Sequence, residues 1–246
     1  IYARHVLRLR PLDPLRSEAD PRLRGVVLHE ILERFVRDGG GDVAALMAVA
    51  DRVLADRVAW PLARTIWRSR LAKAAPAFLD WSARTGGVPV LLEKGGRVDL
   101  AGMDFALIGK PDRIDRLEDG RLLVVDYKTG DPPTEKMQKT YDKQLLLAAA
   151  MAERGGFPGV DPEDVAKVVF VGLKAELKTV ETDLQPGDVG TVWDEFVRLM
   201  TDYARPQQGY TARRALMKDD DETDYDHLSR YGEWDQTTAP KPEDMA

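Results

Sequence analysis

Asp126 and Lys128 close the apolar run Leu122–Val125 and are separated only by Tyr127. In a strand, successive side chains point to opposite faces, so Asp126 and Lys128 share one side and Tyr127 takes the other. Charged groups at the end of a buried strand are costly unless something compensates. A cation held by carboxylates would compensate, and so would a plain salt bridge between Asp126 and Lys128; spacing alone does not separate the two. Upstream, Asp119-Gly120 is a hairpin signal with apolar residues on both sides. Such a hairpin folds the segment carrying Asp112 and Asp115 beside Asp126. On a regular strand Asp112 and Asp115 face opposite sides, so only one of them can point at Asp126. Two converging carboxylates suit magnesium, which takes oxygen ligands together with water and substrate phosphate. Such a cation lowers the pKa of a bound water and makes it a nucleophile, and Lys128 is placed to orient that water or offset developing charge.

These groups need a scaffold, and the surrounding pattern predicts one. From Leu23 to Arg37 apolar residues recur at helical spacing, with Gly39-Gly40-Gly41 as a stop and Asp42 as the N-cap of a second helix reaching about Val58. A third helix is expected from Pro61 to about Arg84. The segments 88–100, 103–120 and 121–130 then read as strands broken by Gly-Gly, Ala-Gly and Asp-Gly. One long helix is expected from Glu135 to Arg154. A buried strand at "VAKVVFVGLK", an edge strand at "KTVETDL" and an amphipathic helix over 188–204 follow. The expected class is α/β, with a mixed sheet flanked by helices and a helical N-terminal part.

Composition removes several kinds of chemistry. There are no cysteines and only three histidines, His5, His29 and His227. Disulfides, thiolate zinc sites and a cysteine-ligated iron–sulfur cluster are therefore excluded, and any metal must rest mainly on oxygen. No Walker A pattern is present, so the chain is expected to hold no ATP site. The net charge of −6 is unevenly spread: residues 217–246 hold ten acidic and three basic residues, leaving 33 basic against 32 acidic elsewhere. Basic runs occur at Arg4, Arg8 and Arg10 and at Arg64, Arg68, Arg70 and Lys73; each also reads as a solvated helix face. Trp60, Trp67 and Trp81 recur near helical spacing and read as core. Without a signal pattern or a membrane-length apolar run, no membrane association and a cytoplasmic location are expected. The chain opens on Ile1 and reads as the end of a longer protein.

The stretch 109–130 resembles the motifs of RecB-like PD-(D/E)XK nucleases. Gly109-Lys110-Pro111-Asp112 matches that family's G-x-x-D strand, and Asp126-Tyr127-Lys128-Thr129-Gly130 its D-Y-K-[ST] strand. "RGVVLHEILERF" is similar to the N-terminal helix whose histidine lies near the metal, which puts His29 in that place. "YDKQLLLAAAMA" supplies the family's glutamine as Gln144, although Ala148 stands where a tyrosine often occurs. "IYARHVLRLRPLDP" and "DYDHLSRYGEW" resemble the C-terminal region of AddB, the second nuclease-bearing subunit of bacterial AddAB helicase–nucleases. The resemblance implies a restriction-endonuclease-like domain over 1–216, helical over 1–88 and catalytic over 89–216, followed by an acidic tail at 217–246. It further implies an exonuclease cutting DNA during double-strand-break repair and recombination. Its site would have Asp112, Asp126 and Lys128 as catalytic residues and His29, Asp112 and Asp126 as ligands of Mg2+, or of Mn2+ in its place. Asp112 is favoured over Asp115 by its distance from Gly109, and Asp115 is then a partner of Arg113 or Arg116. Gln144 and Tyr127 are candidates for binding substrate. The implied partners are DNA ends and a helicase–nuclease subunit of AddA type. The alternative is a nuclease-fold module that has lost catalysis and guides DNA or docks a subunit.

Overall fold

The structure, a computed structural model, describes residues 7–10, 21–174, 176–209, 225–228, 230–235 and 237–239. Among the described residues three helices come first: α1 (Pro21–Arg37), α2 (Val43–Arg57) and α3 (Pro61–Thr85). Gly39, Gly40 and Gly41 all carry positive φ (94°, 74° and 140°), which side-chain-bearing residues resist, so the α1–α2 turn requires them. Asp42 caps α2 as expected, accepting from the Ala45 amide at 2.9 Å, a contact worth about 1 kcal/mol. Pro61 opens α3, and Gly86 at φ 68° ends it in the left-handed conformation.

Among the described residues seven strands follow: β1 (Val88–Leu92), β2 (Gly96–Asp99), β3 (Ala106–Gly109), β4 (Arg113–Arg116), β5 (Leu122–Lys128), β6 (Val165–Leu173) and β7 (Leu177–Asp183). The main sheet has the order β1-β4-β5-β6-β7, with β5 and β6 parallel and the other neighbours antiparallel. The two segments expected as long strands over 88–100 and 103–120 are each interrupted. At Glu93–Gly95 and Lys110–Asp112 the chain leaves the main sheet, and β2 pairs β3 in a separate two-stranded ribbon. The β4–β5 hairpin turns at Asp119-Gly120 as predicted, with Gly120 at φ 86° and the Leu117 amide donating to the Arg121 carbonyl at 2.8 Å.

The helix expected over 135–154 is two helices, α4 (Glu135–Thr140) and α5 (Gln144–Ala152). Thr134 caps α4, and the break falls at Tyr141–Lys143, where the Asp142 side chain accepts from the Gln144 amide at 3.3 Å. A short acidic side chain that binds its own backbone competes with helix propagation. Gln144 thereby becomes the first residue of α5. Between them α4 and α5 make the crossover that the parallel β5–β6 pair needs.

β5 divides its side chains cleanly. Leu123, Val125 and Tyr127 join Val169, Val171 and Leu173 of β6 in a core with α1, α2 and α3. Leu122 and Val124 join Val168 and Phe170 in a second core under α5. A strand covered on both faces explains why the run before Asp126 is apolar without alternation. Trp81 is buried and Trp60 and Trp67 pack at the edge of the first core.

The last helix, α6 (Asp188–Tyr203), spans the border of two compact units, one formed by residues 18–197 and the other by 1–17 with 198–246. In the second unit the Tyr225 hydroxyl donates to the Leu9 carbonyl at 2.8 Å, and the Tyr231 and Trp234 rings meet edge to face. The boundary expected at 216–217 and Arg4 of the first basic run lie outside the described residues. No helix among the described residues is long and apolar enough to cross a membrane.

Candidate functional site

All the candidate residues fall in the first unit, at the end of β5. The hairpin register pairs Arg113 with Val125. Continued by one step, it sets Asp112 across from Asp126, as the sequence reading required. Asp112 Oδ2 accepts from the Tyr127 amide at 2.6 Å, and its Oδ1 lies 3.2 Å from His29 Nδ1. His29 reaches the strand from α1: Nε2 is 2.8 Å from the Tyr127 carbonyl oxygen. A carbonyl can only accept, so Nε2 carries a proton and Nδ1 faces the carboxylates.

A third acid completes this cluster. Glu93 Oε1 is 3.2 Å from His29 Nδ1, and its Oε2 pairs with Lys110 Nζ at 2.6 Å. His29, Glu93 and Asp112 each offer a ligand atom, and these atoms lie within 4.8 Å of one another. Burial pulls the imidazole pKa down, but hydrogen bonds that it donates to Asp112 and Glu93 overcome it and push it up to about 10. Burial raises Glu93 in turn, and its contacts with His29 and Lys110 outweigh that and leave it low.

Asp126 is 2% exposed and belongs to a neighbouring arrangement. Its Oδ1 accepts from Gln144 Nε2 at 2.8 Å, and its Oδ2 pairs with Lys128 Nζ at 2.8 Å. The Gln144 carbonyl oxygen accepts from the same Lys128 at 3.3 Å, so one amide at the start of α5 braces both charged groups. Lys128 also sits 5.2 Å above the Phe170 ring, a cation–π contact. Burial first, and then the Asp112 charge, push the Asp126 carboxyl up to about 6 despite Lys128.

The structure therefore brings Asp112 to His29 and Asp126 to Lys128 and Gln144, whereas Asp126 is not among the atoms clustered around His29. Tyr127 requires a correction as a substrate-binding residue. Its ring is 3% exposed and packs edge to face on Phe78, within the core beneath α1–α3. Strand parity that turns Asp126 and Lys128 outward turns Tyr127 inward; only its backbone amide and carbonyl reach the site. Asp115 points away and pairs with Arg113, one of the two partners expected for it.

Glu93 and Lys110 were missed. Glu93 adopts φ 46°, unusual for a residue with a side chain, and its amide donates to the Asp112 carbonyl at 3.0 Å. The one available signal was register: pairing β1 with β4 puts Leu92 against Arg113 and so Glu93 beside Asp112. No local pattern announces that pairing.

Comparison with known proteins agrees with this architecture. The chain belongs to the PD-(D/E)XK nuclease superfamily, whose family model matches residues 2–237. It carries the restriction-endonuclease-like fold of that superfamily, a five-stranded mixed sheet flanked by helices with a helical N-terminal part. Membership marks it as a nuclease-type hydrolase.

Among curated proteins it is similar to an uncharacterized protein of Rickettsia felis, 26% identical over 188 residues (71% of this chain, 22% of that protein). A second uncharacterized protein, from Rickettsia bellii, is 26% identical over 166 residues (63% of this chain, 20% of that protein). The chain thus spans about a fifth of the length of the curated relatives it matches. A solved structure described as that of SSO0001 aligns over 76% of each chain at 15% identity with a TM-score of 0.30.

Proposed function

We propose that this chain is a magnesium-dependent deoxyribonuclease domain that hydrolyses phosphodiester bonds at DNA ends. The observation that carries this reading is the convergence of His29, Glu93 and Asp112 beside the Asp126–Lys128 pair. The donor set fits a hard divalent cation: three carboxylates, a backbone carbonyl at Tyr127 and one imidazole, predominantly oxygen. The same carboxylates that lift the His29 pKa supply the negative field that a cation needs. His29, Asp112 and Asp126 are the proposed ligands, as the motif resemblance implies, and Glu93 joins them. When bound, the cation polarises the scissile phosphate and acidifies a water, with manganese able to replace magnesium.

The protein's own groups do the rest. Lys128 presents an ammonium, held at 2.8 Å from Asp126, to a phosphate oxygen or to the attacking water. Gln144 fixes that ammonium and the Asp126 carboxylate in one geometry, so neither must reorganise as charge develops. Gln144 also lies where a substrate backbone could meet its amide. In the reaction a water oxygen bonds to phosphorus and releases a proton to solvent, the P–O bond to the leaving strand breaks, and the leaving oxygen takes up a proton.

The resemblance to the C-terminal region of AddB supports a further step. In the full protein the domain would act as an exonuclease in double-strand-break processing, beside a helicase–nuclease partner of AddA type. It would degrade the strand ending 5′ and leave the other for recombination. Nicking of single-stranded DNA with magnesium, compared between the wild type and Asp126→Ala, tests the catalytic reading. Cleavage should disappear in the variant; equal cleavage by both would sink the assignment and leave a DNA-guiding or docking scaffold.

A further inference from the structure

The basic run on α3 is not uniform. Arg64 donates to the Val58 carbonyl, and Arg68 pairs with Asp51 of α2 at 2.5 Å, so both are spent on packing α3 against α2. Arg70 has no carboxylate partner among the described residues. It lines a cleft with Arg24 of α1, Trp67 of α3, and the apolar side chains Leu28 and Leu173. Arg24 likewise has no carboxylate partner among the described residues; its Nη2 donates to the Thr129 carbonyl at 3.0 Å. Burial, and then the nearby charge of Arg70, lower the Arg24 pKa. Two like charges that line one cleft, without a carboxylate partner among the described residues, are an unfavourable arrangement that an anion would relieve.

The position of this cleft gives the anion a chemical class. Thr129 directly follows Lys128, so the Arg24 bond ties the cleft to the end of the strand that carries the site. A nucleotide offers what the cleft lacks. Its phosphate suits paired guanidinium groups, and its base suits a half-buried indole over an apolar wall. Neither part alone would account for both features.

We propose that the mouth of the cleft between α1 and α3 seats one nucleotide of single-stranded DNA across its surface, with its phosphate on Arg24 and Arg70 and its base over Trp67. It would grip the strand next to the cutting site and fix which phosphodiester enters it. This inference rests on the nuclease reading above for its choice of ligand.

The test is fluorescence anisotropy of a labelled oligo(dT) with the full 246-residue chain in EDTA, where no cleavage occurs. Arg70→Glu should weaken binding about tenfold and flatten the salt dependence by about 0.7 in log–log slope for each phosphate that is no longer neutralised. Arg70→Lys should stay near wild type, and Trp67→Phe should retain binding that Trp67→Ala loses. Arg70 is exposed on a helix, so thermal melting should be unchanged in its variants. Wild-type affinity and slope in Arg70→Glu would overturn the proposal, as would no measurable oligo(dT) binding by the wild-type chain. Because EDTA removes catalysis from the measurement, intact cleavage in Asp126→Ala and unmoved affinity in Arg70→Glu report the two failures separately.

Discussion

Asp112 and Asp115 stand three residues apart at the same strand, yet their surroundings oppose each other in almost every electrostatic respect. Asp115 is fully buried and meets Arg113, itself 3% exposed, through two contacts of 2.6 Å. Arg113 also donates to Ser82, and Gly87 comes so close that an added Cβ would lie 2.7 Å from that of Asp115. Burial works against the Arg113 charge, but Asp115 overcomes it and raises its pKa. The pair is closed off from solvent. Asp112 shares its space with Glu93, and the cations that balance this side of the sheet remain partly in water: His29 at 27%, Lys128 at 31% and Lys110 at 58% side-chain exposure. A ligand can displace or join such groups. Two aspartates of one short segment thus become a structural clasp and an acid open to a ligand because of what packs against them.

One substitution made at both positions tests this contrast most severely. Asp112→Asn keeps an oxygen for the Tyr127 amide but loses the charge. Cleavage should fall by on the order of 10³-fold and manganese affinity should drop in calorimetry. Asp115→Asn should do the reverse. It leaves the Arg113 cation buried without its counterion, which costs about 3–5 kcal/mol of stability in urea unfolding. The double change Arg113→Met with Asp115→Leu should recover most of that loss, because a buried pair replaced by apolar groups of similar volume is often near neutral. Unaltered metal affinity in Asp112→Asn, or wild-type stability in Asp115→Asn, would erase the distinction between the two aspartates.

A subtler difference concerns pH. The folded protein holds His29 at about 10, above the ordinary 6.5, so its contribution to stability is full below pH 6.5 and is lost as pH rises through 10. In EDTA, the urea midpoint of the wild type should therefore fall more steeply between those values than that of His29→Gln. Manganese competes with the same proton, so its affinity should rise over the same window. Parallel midpoint curves for the two proteins would remove His29 from the open cluster.

How much of this was written locally in the chain varies with the element. The side shared by Asp126 and Lys128 followed from strand period, and the turn that delivers Asp112 followed from Asp119-Gly120, where only a positive φ closes the hairpin. Both are short-range facts. Glu93 is different: it reaches His29 across 64 residues through a backbone conformation that favours glycine. The break at Asp142 was hidden by a continuous helical pattern, and the Arg24–Arg70 cleft arises only when α1 and α3 pack. Tyr127 was legible locally: the strand parity that put Asp126 and Lys128 on one side had already sent its ring into the core.

Gln144 offers the smallest expected effect and the finest measure of how the open cluster is held. It carries no charge and is not one of the clustered ligand atoms, yet it touches both Asp126 and Lys128. Gln144→Ala should lower kcat about tenfold, because it removes the amide that positions Asp126 and Lys128. It should also move the acid limb of the pH–rate profile. The amide donates to the ionised carboxylate, so its loss favours protonated Asp126 and lifts a pKa already near 6. The limb must shift toward higher pH; a shift toward lower pH, or none with kcat intact, would mean that Gln144 only fills the helix surface. No such shift is expected from Ser82→Ala, which loosens the closed pair to a similar degree but has no access to Asp126.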